Sequence, residues 1–170
     1  MLNFLKKTND NKIYAPVKGK CIDIKEVSDE IFSSQMMGDG VAIIPTDNII
    51  KAPANGKLTM LFDTGHAIGM KMDNGLEILI HIGIDTVNEN GKGFEVLKKT
   101  GEYLKHGEPI VKIDLDYLKS KYDMSTMVVV TNKEKASKLN LNRNVDENIP
   151  ILERGWMMWN WLRKSTITSL

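Results

Sequence analysis

Short apolar runs separated by turn-forming residues dominate the chain from Ile13 onward. The runs that have the length and pattern of strands are KCIDI, GVAIIP, GKLTMLF, AIGMKM, LEILIHIGI, EPIVKID and MVVVTN. Glycine, proline, asparagine and aspartate lie between them, as is typical of turns. The pattern predicts an all-β fold, an antiparallel sandwich or barrel. Helix is expected only in short turns, one from Ser28 to Phe32 and one from Leu115 to Tyr122, where Asp114 can cap the free backbone donors.

Two stretches of the chain share one turn pattern. APVKGKCIDI begins at Ala15 and APANGKLTML begins at Ala52, so each has A-P-x-x-G-K followed by a strand. Proline fixes the angle at which the chain enters and glycine permits the turn, so both copies are expected to build the same corner. We interpret the pattern as an internal duplication, with chance recurrence as the alternative.

The length of 170 residues suits one domain with a single core. We expect a lead at residues 1–12, the domain at residues 13–154 and an extension at residues 155–170. The lead, MLNFLKK, is either a short amphipathic anchor with weak affinity for a membrane surface or a frayed terminus. The extension, GWMMWNWLRKSTITSL, holds all three tryptophans and is too short to cross a bilayer. It could lie in a membrane interface, fold back onto apolar surface, or be a read-through product.

Charge and cysteine content indicate what the protein can bind and where in the cell it is expected. Lysine and arginine total 23 against 22 acidic residues, a net charge of +1, which argues against nucleic-acid binding through a large positive field. Cys21 is the sole cysteine, so no intramolecular disulfide forms and a reducing cytoplasm is the simplest location. No stretch has the pattern of a secretion signal or a membrane span. A cytoplasmic protein is therefore expected.

Two of the three histidines flank one predicted hairpin, in which FDTGHAIGMKM, the turn DNG and LEILIHIGID follow one another. A two-residue loop at Asp73 and Asn74 would set His66 directly opposite His81. A loop at Asn74 and Gly75 would instead make His66 a diagonal neighbour of His81. Because side chains alternate along a strand, either register places both imidazoles on one face. That face would also carry Thr64, Ile68 and Met70 from the first strand, and Leu79, Gly83 and Asp85 from the second.

Paired imidazoles of this kind could hold a phosphoryl group or a metal ion between their ring nitrogens. The hydroxyl of Thr64 can fix the tautomer of His66. The alternative is an ordinary cross-strand pair at the sheet surface. The third histidine, His106, lies in LKHGEP and is expected to be a solvated loop residue. Nucleotide-binding loops, nucleophile elbows and strong zinc motifs are absent from the sequence, which leaves a cofactor-free histidine nucleophile or a weak two-histidine metal site.

Eight motifs follow one another between about Ile13 and about Arg154: APVKGK, EVSDEIF, MMGDGVAIIP, KAPANGKL, TGHAIGMK, GLEILIHIGIDTV, GKGF and VKIDLDYL. In these motifs and their order, the chain resembles the glucose-type enzyme IIA of the bacterial sugar phosphotransferase system. The combination of T-x-H-A with H-I-G-I-D-T-V is highly specific. The resemblance implies an antiparallel β-sandwich, in agreement with the strand pattern.

The resemblance also implies roles. His81 would accept a phosphoryl group at Nε2 from a small histidine-phosphorylated carrier protein and pass it to a cysteine in the IIB domain of a sugar permease, without a cofactor. His66 would hydrogen-bond the phosphoryl oxygens, Thr64 would orient His66, and the backbone near Gly83 would bind the other ring nitrogen of His81.

A partner-binding surface around the site is implied as well. Its apolar members would be Ile31, Phe32, Met36, Met37, Phe62, Leu79 and Val87, and its acidic members Asp29 and Asp85, which would face basic residues of the carrier. Ordinary core packing is the alternative for Leu79 and Met36. The sequence departs from the family pattern at Glu30, where an apolar residue is expected, and in the polar NEN from Asn88 to Asn90.

Two further functions stay open. The protein could be a regulatory adaptor that binds transporters or metabolic enzymes according to its phosphorylation. It could also bind zinc weakly through His66 and His81, with Asp85 or a partner's carboxylate as a third ligand.

Overall fold

The computed structural model describes residues 11–132 and 134–155. Short strands make up most of this part of the chain, as the apolar pattern predicts. In chain order they are β1 Lys12–Tyr14, β2 Gly19–Asp23, β3 Asp39–Pro45, β4 Ile49–Lys51, β5 Gly56–Leu61, β6 Ala67–Met72, β7 Glu77–Ile82, β8 Phe94–Val96, β9 Tyr103–Leu104, β10 Pro109–Ile113, β11 Thr126–Val130, β12 Ala136–Lys138, β13 Asn144–Val145 and β14 Pro150–Arg154.

All the paired strands run antiparallel, in one large sheet and two small ones. The large sheet has the order β13-β2-β3-β11-β7-β6-β5-β9, and the small sheets have the orders β1-β14-β12 and β4-β10-β8. The predicted fold class is therefore confirmed. Each of the seven predicted strands is present, as β2, β3, β5, β6, β7, β10 and β11, and the remaining strands are short ones that the pattern did not reveal.

The two predicted helical turns are also present. Helix α1 spans Glu30–Ser33 and is capped by Asp29, and helix α2 spans Leu115–Lys119 and is capped by Asp114, whose carboxylate accepts from the backbone of Tyr117. Both are shorter than predicted. Two 3₁₀ turns, Ile24–Glu26 and Thr86–Glu89, were not predicted, and the second follows directly on the strand that carries His81.

The two faces of β7 contact different apolar clusters. Ile78, Ile80 and Ile82 point into the main core. Leu79 belongs to a smaller cluster on the other face, formed with residues of β2, β3, β6 and β11 and with Phe32 of α1. Because side chains alternate, His81 shares its face with Leu79. The imidazole therefore lies at the margin of the smaller cluster and not inside the main core.

The repeated turn pattern builds two corners that bind each other. Tyr14 N–H donates to the Pro53 carbonyl at 2.8 Å, and Lys51 N–H donates to the Pro16 carbonyl at 2.7 Å. The two bonds are reciprocal, since each joins the residue before one copy to the proline of the other. The glycines also correspond, because a Cβ at Gly19 or at Gly56 would lie 2.0 or 2.4 Å from a carbonyl oxygen of the adjacent strand. These features support the interpretation of the pattern as a duplication.

The two ends of the described chain lie side by side. Strands β1 and β14 pair antiparallel, with Lys12 opposite Glu153. The amphipathic character predicted for MLNFLKK and the possible locations of the tryptophan-rich extension concern residues 1–10 and 156–170, which lie outside the described residues. Among residues 11–132 and 134–155, no helix is both long and apolar enough to traverse a bilayer.

Candidate functional site

The rings of His66 and His81 lie next to each other at the margin of the smaller cluster. Their centroids are 5.3 Å apart and the ring planes are inclined at 79°, an edge-to-face arrangement. His81 Nδ1 lies 2.9 Å from the carbonyl oxygen of Gly83, and His66 Nδ1 lies 2.6 Å from the hydroxyl of Thr64. A carbonyl only accepts, so His81 carries its proton on Nδ1 and its lone pair on Nε2 when the ring is neutral.

The hairpin brings the two rings together in a register that differs from both predicted registers. Its turn contains the three residues Asp73–Gly75, and Ala67, not His66 or Ile68, lies opposite His81. Ile68 and Met70 point into the main core, so the prediction that they share a face with the imidazoles is wrong. His66 precedes the regular strand, next to Gly65, whose φ of +74° turns the chain. The convergence was predicted correctly, but it depends on this turn and not on alternation.

Aromatic side chains enclose both imidazoles. Phe32 packs on His81 and Phe62 packs on His66, each with ring centroids 5.1 Å apart. His66 is buried, with only 6% of its surface exposed, whereas His81 is half-buried. The site therefore combines one enclosed imidazole with one that solvent or a partner can reach.

Burial favours the neutral form of both histidines. Desolvation lowers the pKa of His81 below the ordinary 6.5, and the Gly83 carbonyl, Asp29 and Asp85 oppose this effect without cancelling it. Desolvation and the neighbouring His81 lower the pKa of His66 in the same direction. At neutral pH both rings are therefore uncharged, and the lone pair on His81 Nε2 is available as a nucleophile.

These lowered pKa values predict how stability depends on pH. As the pH falls through 6.5, the unfolded chain takes up protons at these positions while the folded chain does not. The free energy of unfolding is therefore expected to decrease between about pH 7.5 and about pH 5.5, a window above the range in which most carboxylates titrate. Urea denaturation across this window measures the decrease. The double variant His66→Gln, His81→Gln should show a smaller decrease, and an equal one would contradict the assignment.

The backbone on both sides of Gly83, whose carbonyl orients His81, is held by contacts that the sequence did not predict. The Thr86 hydroxyl, fully buried, donates to the Ile82 carbonyl at 2.5 Å, and its methyl group packs so closely on Gly83 that a Cβ there would lie 2.5 Å away. Ile84 N–H donates to the backbone carbonyl of Asp123 at 2.8 Å. The signal for Thr86 was a threonine directly after a predicted strand, which is too common to single out. Thr86 therefore fixes the backbone next to Gly83, whose carbonyl accepts from His81.

Replacing Thr86 with valine is expected to loosen the backbone between Ile82 and Gly83. The valine keeps the shape of threonine but lacks the hydroxyl, so we expect the hydrogen bond from His81 Nδ1 to the Gly83 carbonyl to weaken. Nitrogen-15 NMR of the imidazole should show less of the Nδ1-protonated tautomer. Thr86→Ser, which retains the hydroxyl, should behave nearly as the wild type. Unchanged tautomer populations in Thr86→Val would refute this role.

The predicted partner-binding residues divide into an exposed group and a buried group. Ile31, Met36, Met37, Phe62 and Val87 are exposed, Met36 the most at 77%. Phe32 and Leu79 are buried and belong to the smaller cluster, so the core alternative is correct for Leu79 and not for Met36. Asp29 caps α1 through its carboxylate, and Asp85 is exposed in the left-handed region at a φ of 60°. Their role toward a partner stays a prediction.

His106 is not the solvated loop residue that was predicted. Its Nε2 donates to the Glu147 carbonyl at 2.5 Å, its backbone N–H donates to the side chain of Asn55, and its ring stacks on Tyr14 at 4.4 Å. It joins the corner of the first turn repeat to a later loop. The long-range partners that hold it are separated from it in sequence, so the local pattern gave no sign of them.

The polar NEN segment has a structural role. The carboxylate of Glu89 accepts from the hydroxyls of Tyr117 and Tyr122 and from the ammonium of Lys121, at 2.6 to 2.7 Å. These bonds lower the pKa of Glu89 to about 2, so it is ionised throughout the neutral range. These bonds hold the 3₁₀ turn Thr86–Glu89 against helix α2 and the residues directly after it.

Metal binding within this chain finds little support. Among residues 11–132 and 134–155, no group of three or more histidine, cysteine, aspartate or glutamate side chains is placed to hold a metal ion. Within these residues, Asp85 is therefore not placed beside His66 and His81 as a third ligand. The version of the zinc hypothesis in which a partner supplies the carboxylate stays a prediction.

Comparisons with known proteins agree with this geometry. Residues 11–136 match the family described as phosphoenolpyruvate-dependent sugar phosphotransferase system, EIIA 1. The chain is 40% identical over 131 residues to the glucose-specific EIIA component of Staphylococcus epidermidis, covering 76% of this chain and 79% of that protein. It is 48% identical over 121 residues, 71% of its own length, to the glucose-specific EIICBA component of Staphylococcus carnosus, of which it spans only 18%.

A solved structure matches as well. The glucose permease IIA from Mycoplasma capricolum superposes with a TM-score of 0.73 at 34% identity, covering 83% of this chain and 93% of that one.

Proposed function

Because the chain belongs to the EIIA 1 family of the phosphoenolpyruvate-dependent sugar phosphotransferase system, we propose that His81 is the residue that carries the phosphoryl group. Membership makes the chain a phosphotransferase component of a sugar transport system. The chain spans only 18% of the length of the EIICBA relatives that it matches, so the reactions of those whole proteins are not assigned to it. The proposal concerns the acceptor, its supporting residues and the partners of the transfer.

The edge-to-face pair of imidazoles is the observation that supports this proposal most. His81 is half-buried and presents an Nε2 lone pair, because Nδ1 donates to Gly83. In the proposed step, Nε2 attacks phosphorus, the phosphorus–nitrogen bond of a donor phosphohistidine breaks, and the donor imidazole leaves with the electron pair. Phosphoryl transfer of this kind depends mainly on in-line positioning and on stabilisation of the spread negative charge.

His66 and Thr64 are proposed to stabilise that charge. If the Thr64 hydroxyl donates to Nδ1 of His66, then Nε2 of His66 carries a proton, which it can donate to a phosphoryl oxygen on the neighbouring ring. The distance of 5.3 Å between ring centroids leaves room for a phosphoryl group on one ring to reach the other. Phe32 and Phe62 exclude water from this side, which slows hydrolysis of a phosphohistidine.

The proposed partners are a small histidine-phosphorylated carrier protein as donor and a cysteine of the IIB domain of a sugar permease as acceptor. The exposed Ile31, Met37 and Val87 suit a surface on which two unlike proteins dock in turn. Asp29 and Asp85, close enough to His81 to affect its pKa, suit basic residues on a donor.

We place the reaction in the cytoplasm, where a lone buried cysteine is the ordinary case. The adaptor hypothesis uses the same surface and stays a prediction.

The test is a transfer assay with a phosphorylated carrier protein. We expect the chain to acquire one phosphoryl group that is labile to acid and stable to base, as a phosphohistidine is and a phosphoserine is not. Peptide mapping should locate it on His81, and phosphorus-31 NMR should place it on Nε2. A phosphoryl group on His106, on a carboxylate or on Nδ1 of His81 would overturn the proposal.

A further inference from the structure

A shallow groove lies on the same face of the large sheet as His81 and begins at the next cross-strand pair along β6 and β7. In the ladder between β6 and β7, the pair Gly69–Leu79 comes next after Ala67–His81 on this face, and Lys71–Glu77 follows it. The groove has a volume of about 360 Å³ and is lined by Met37, Thr59, Met60, Gly69, Met70, Lys71, Glu77, Ile78, Leu79 and Thr131. It lies between the histidine pair and the turn at the end of the hairpin.

Two methionines give the groove an adaptable apolar wall. Gly69 has no side chain, and Met60 lies beside it so closely that a Cβ there would be 3.1 Å from the Met60 Cβ. Met60 and Met37 are 36% and 42% exposed. Methionine side chains are flexible and make favourable contacts with aromatic rings, so the groove suits aromatic side chains.

The described chain ends near the turn that lies beyond this groove. The guanidinium of Arg154 donates to the Asn74 carbonyl and contacts Gly75, in the turn that joins β6 to β7. Gly155 N–H donates to the Lys135 carbonyl at 2.8 Å. Lys71 and Glu77, at the near end of the groove, are the strand residues closest to that turn on this face. The segment after Gly155 therefore starts within a short reach of the groove.

The segment at residues 156–170 has the composition that such a groove would bind. It holds Trp156, Trp159 and Trp161, which are all the tryptophans of the chain, together with two further methionines. An extended segment of this length spans up to about 50 Å, whereas the strand from Glu77 to His81, on which the groove lies, is roughly 13 Å long. The segment is therefore long enough to cover the groove from its near end.

We propose that residues 156–170 dock into this groove of their own chain through their tryptophan side chains. Tryptophan buries a large apolar area and keeps a polar N–H that can face solvent, which suits a shallow site at the edge of water. Docking there covers Met37 and Met60 and brings the segment to within two ladder positions of His81. This proposal does not depend on the proposed phosphoryl transfer.

Intrinsic fluorescence tests the proposal directly, because every tryptophan of the chain lies in the segment. In the full-length protein, we expect emission at shorter wavelength than in a synthetic peptide of residues 156–170. We also expect a roughly twofold lower quenching constant with acrylamide. Met60→Glu, which places a charge on the groove wall, should shift both values toward those of the peptide. Met36→Glu is the matched control, because Met36 is an exposed methionine that does not line the groove.

Four results would overturn the proposal. The full-length protein could give the spectrum of the free peptide, or the two glutamate variants could change the spectrum equally. The shift could depend on protein concentration, which would indicate docking between two copies. It could also arise only when lipid vesicles are added, which would indicate a membrane surface. Circular dichroism of each variant establishes that the sheet is intact, so that a lost shift reports on the groove.

Discussion

His81→Gln is expected to abolish phosphoryl acceptance. Glutamine has an amide in place of the imidazole, and an amide nitrogen has no available lone pair with which to attack phosphorus. The half-buried position and the Nδ1 bond to Gly83 make His81 the imidazole with both an accessible position and a defined Nε2 lone pair. The measurement is the amount of acid-labile phosphate on the chain after incubation with the phosphorylated carrier, and we expect none above background.

The matched control for this variant is His106→Gln. His106 is engaged with the Glu147 carbonyl and the Tyr14 ring, so its replacement should leave acceptance unchanged. Thermal unfolding of both variants checks that each has kept its fold. Acid-labile phosphate on His81→Gln at the wild-type level would show that another histidine is the acceptor.

His66→Gln is expected to separate the two halves of the transfer. Acceptance from a phosphohistidine exchanges one imidazole for another, and the amide of glutamine can still donate to a phosphoryl oxygen. Onward transfer to a cysteine brings a thiolate toward a group that is already negative, and an amide cannot take up a proton to offset this repulsion as an imidazole can. We therefore expect acceptance to persist and onward transfer to fall by roughly 100-fold, on the order of the cost of losing one interaction that stabilises charge in the transition state.

Single-turnover kinetics distinguish these steps. Pre-phosphorylated His66→Gln is mixed with the IIB domain, and the loss of phosphate from the chain is followed over time. Thr64→Val is the companion variant, because it retains His66 but removes the hydroxyl 2.6 Å from its Nδ1. It should show a smaller defect in the same step. Equal losses of acceptance and of onward transfer in His66→Gln would mean that His66 only supports the position of His81.

The central strands could be predicted from the sequence because they are long and apolar. Strand β7 contributes Ile78, Ile80 and Ile82 to the main core, and an apolar run of this length between turn residues is typical of a buried strand. Strands β9 and β13 contain two residues each, which is too short for any period to show. The capped turns were predictable for another reason, since aspartate at Asp29 and Asp114 has a local partner in the backbone that follows it.

Which two histidines form the pair could be predicted from the sequence, but the geometry that brings them together could not. Two-residue loops are the commonest in hairpins and predict two registers, but the chain uses a three-residue turn at Asp73–Gly75. A shift of one residue exchanges the faces of a whole strand, so Ile68 lies in the main core and not on the predicted face. The rings still meet because His66 lies at the turn beside Gly65, where the strand period no longer applies.

The contacts around the site that could not be predicted from the sequence join residues far apart along the chain. Ile84 reaches the backbone of Asp123, and Ser28 reaches its carboxylate, across gaps of tens of residues. Phe32 is buried against His81, although its neighbour Ile31 is exposed. Which apolar residues of a short helix point inward depends on where the helix docks, and that is decided by the packing of the whole sheet.

The adjacency of β1 and β14 affects how the domain can be used in larger proteins. With Lys12 opposite Glu153, the polypeptide enters and leaves the sandwich at one place, so an added sequence at either end need not cross the sheets. Relatives occur both at nearly this size and within far longer chains. Tethering to a permease would hold the phosphohistidine near its acceptor at a high effective concentration, whereas a separate protein must find that acceptor by diffusion. Fusion at these neighbouring ends can thus change the rate of encounter while the two imidazoles keep the same geometry.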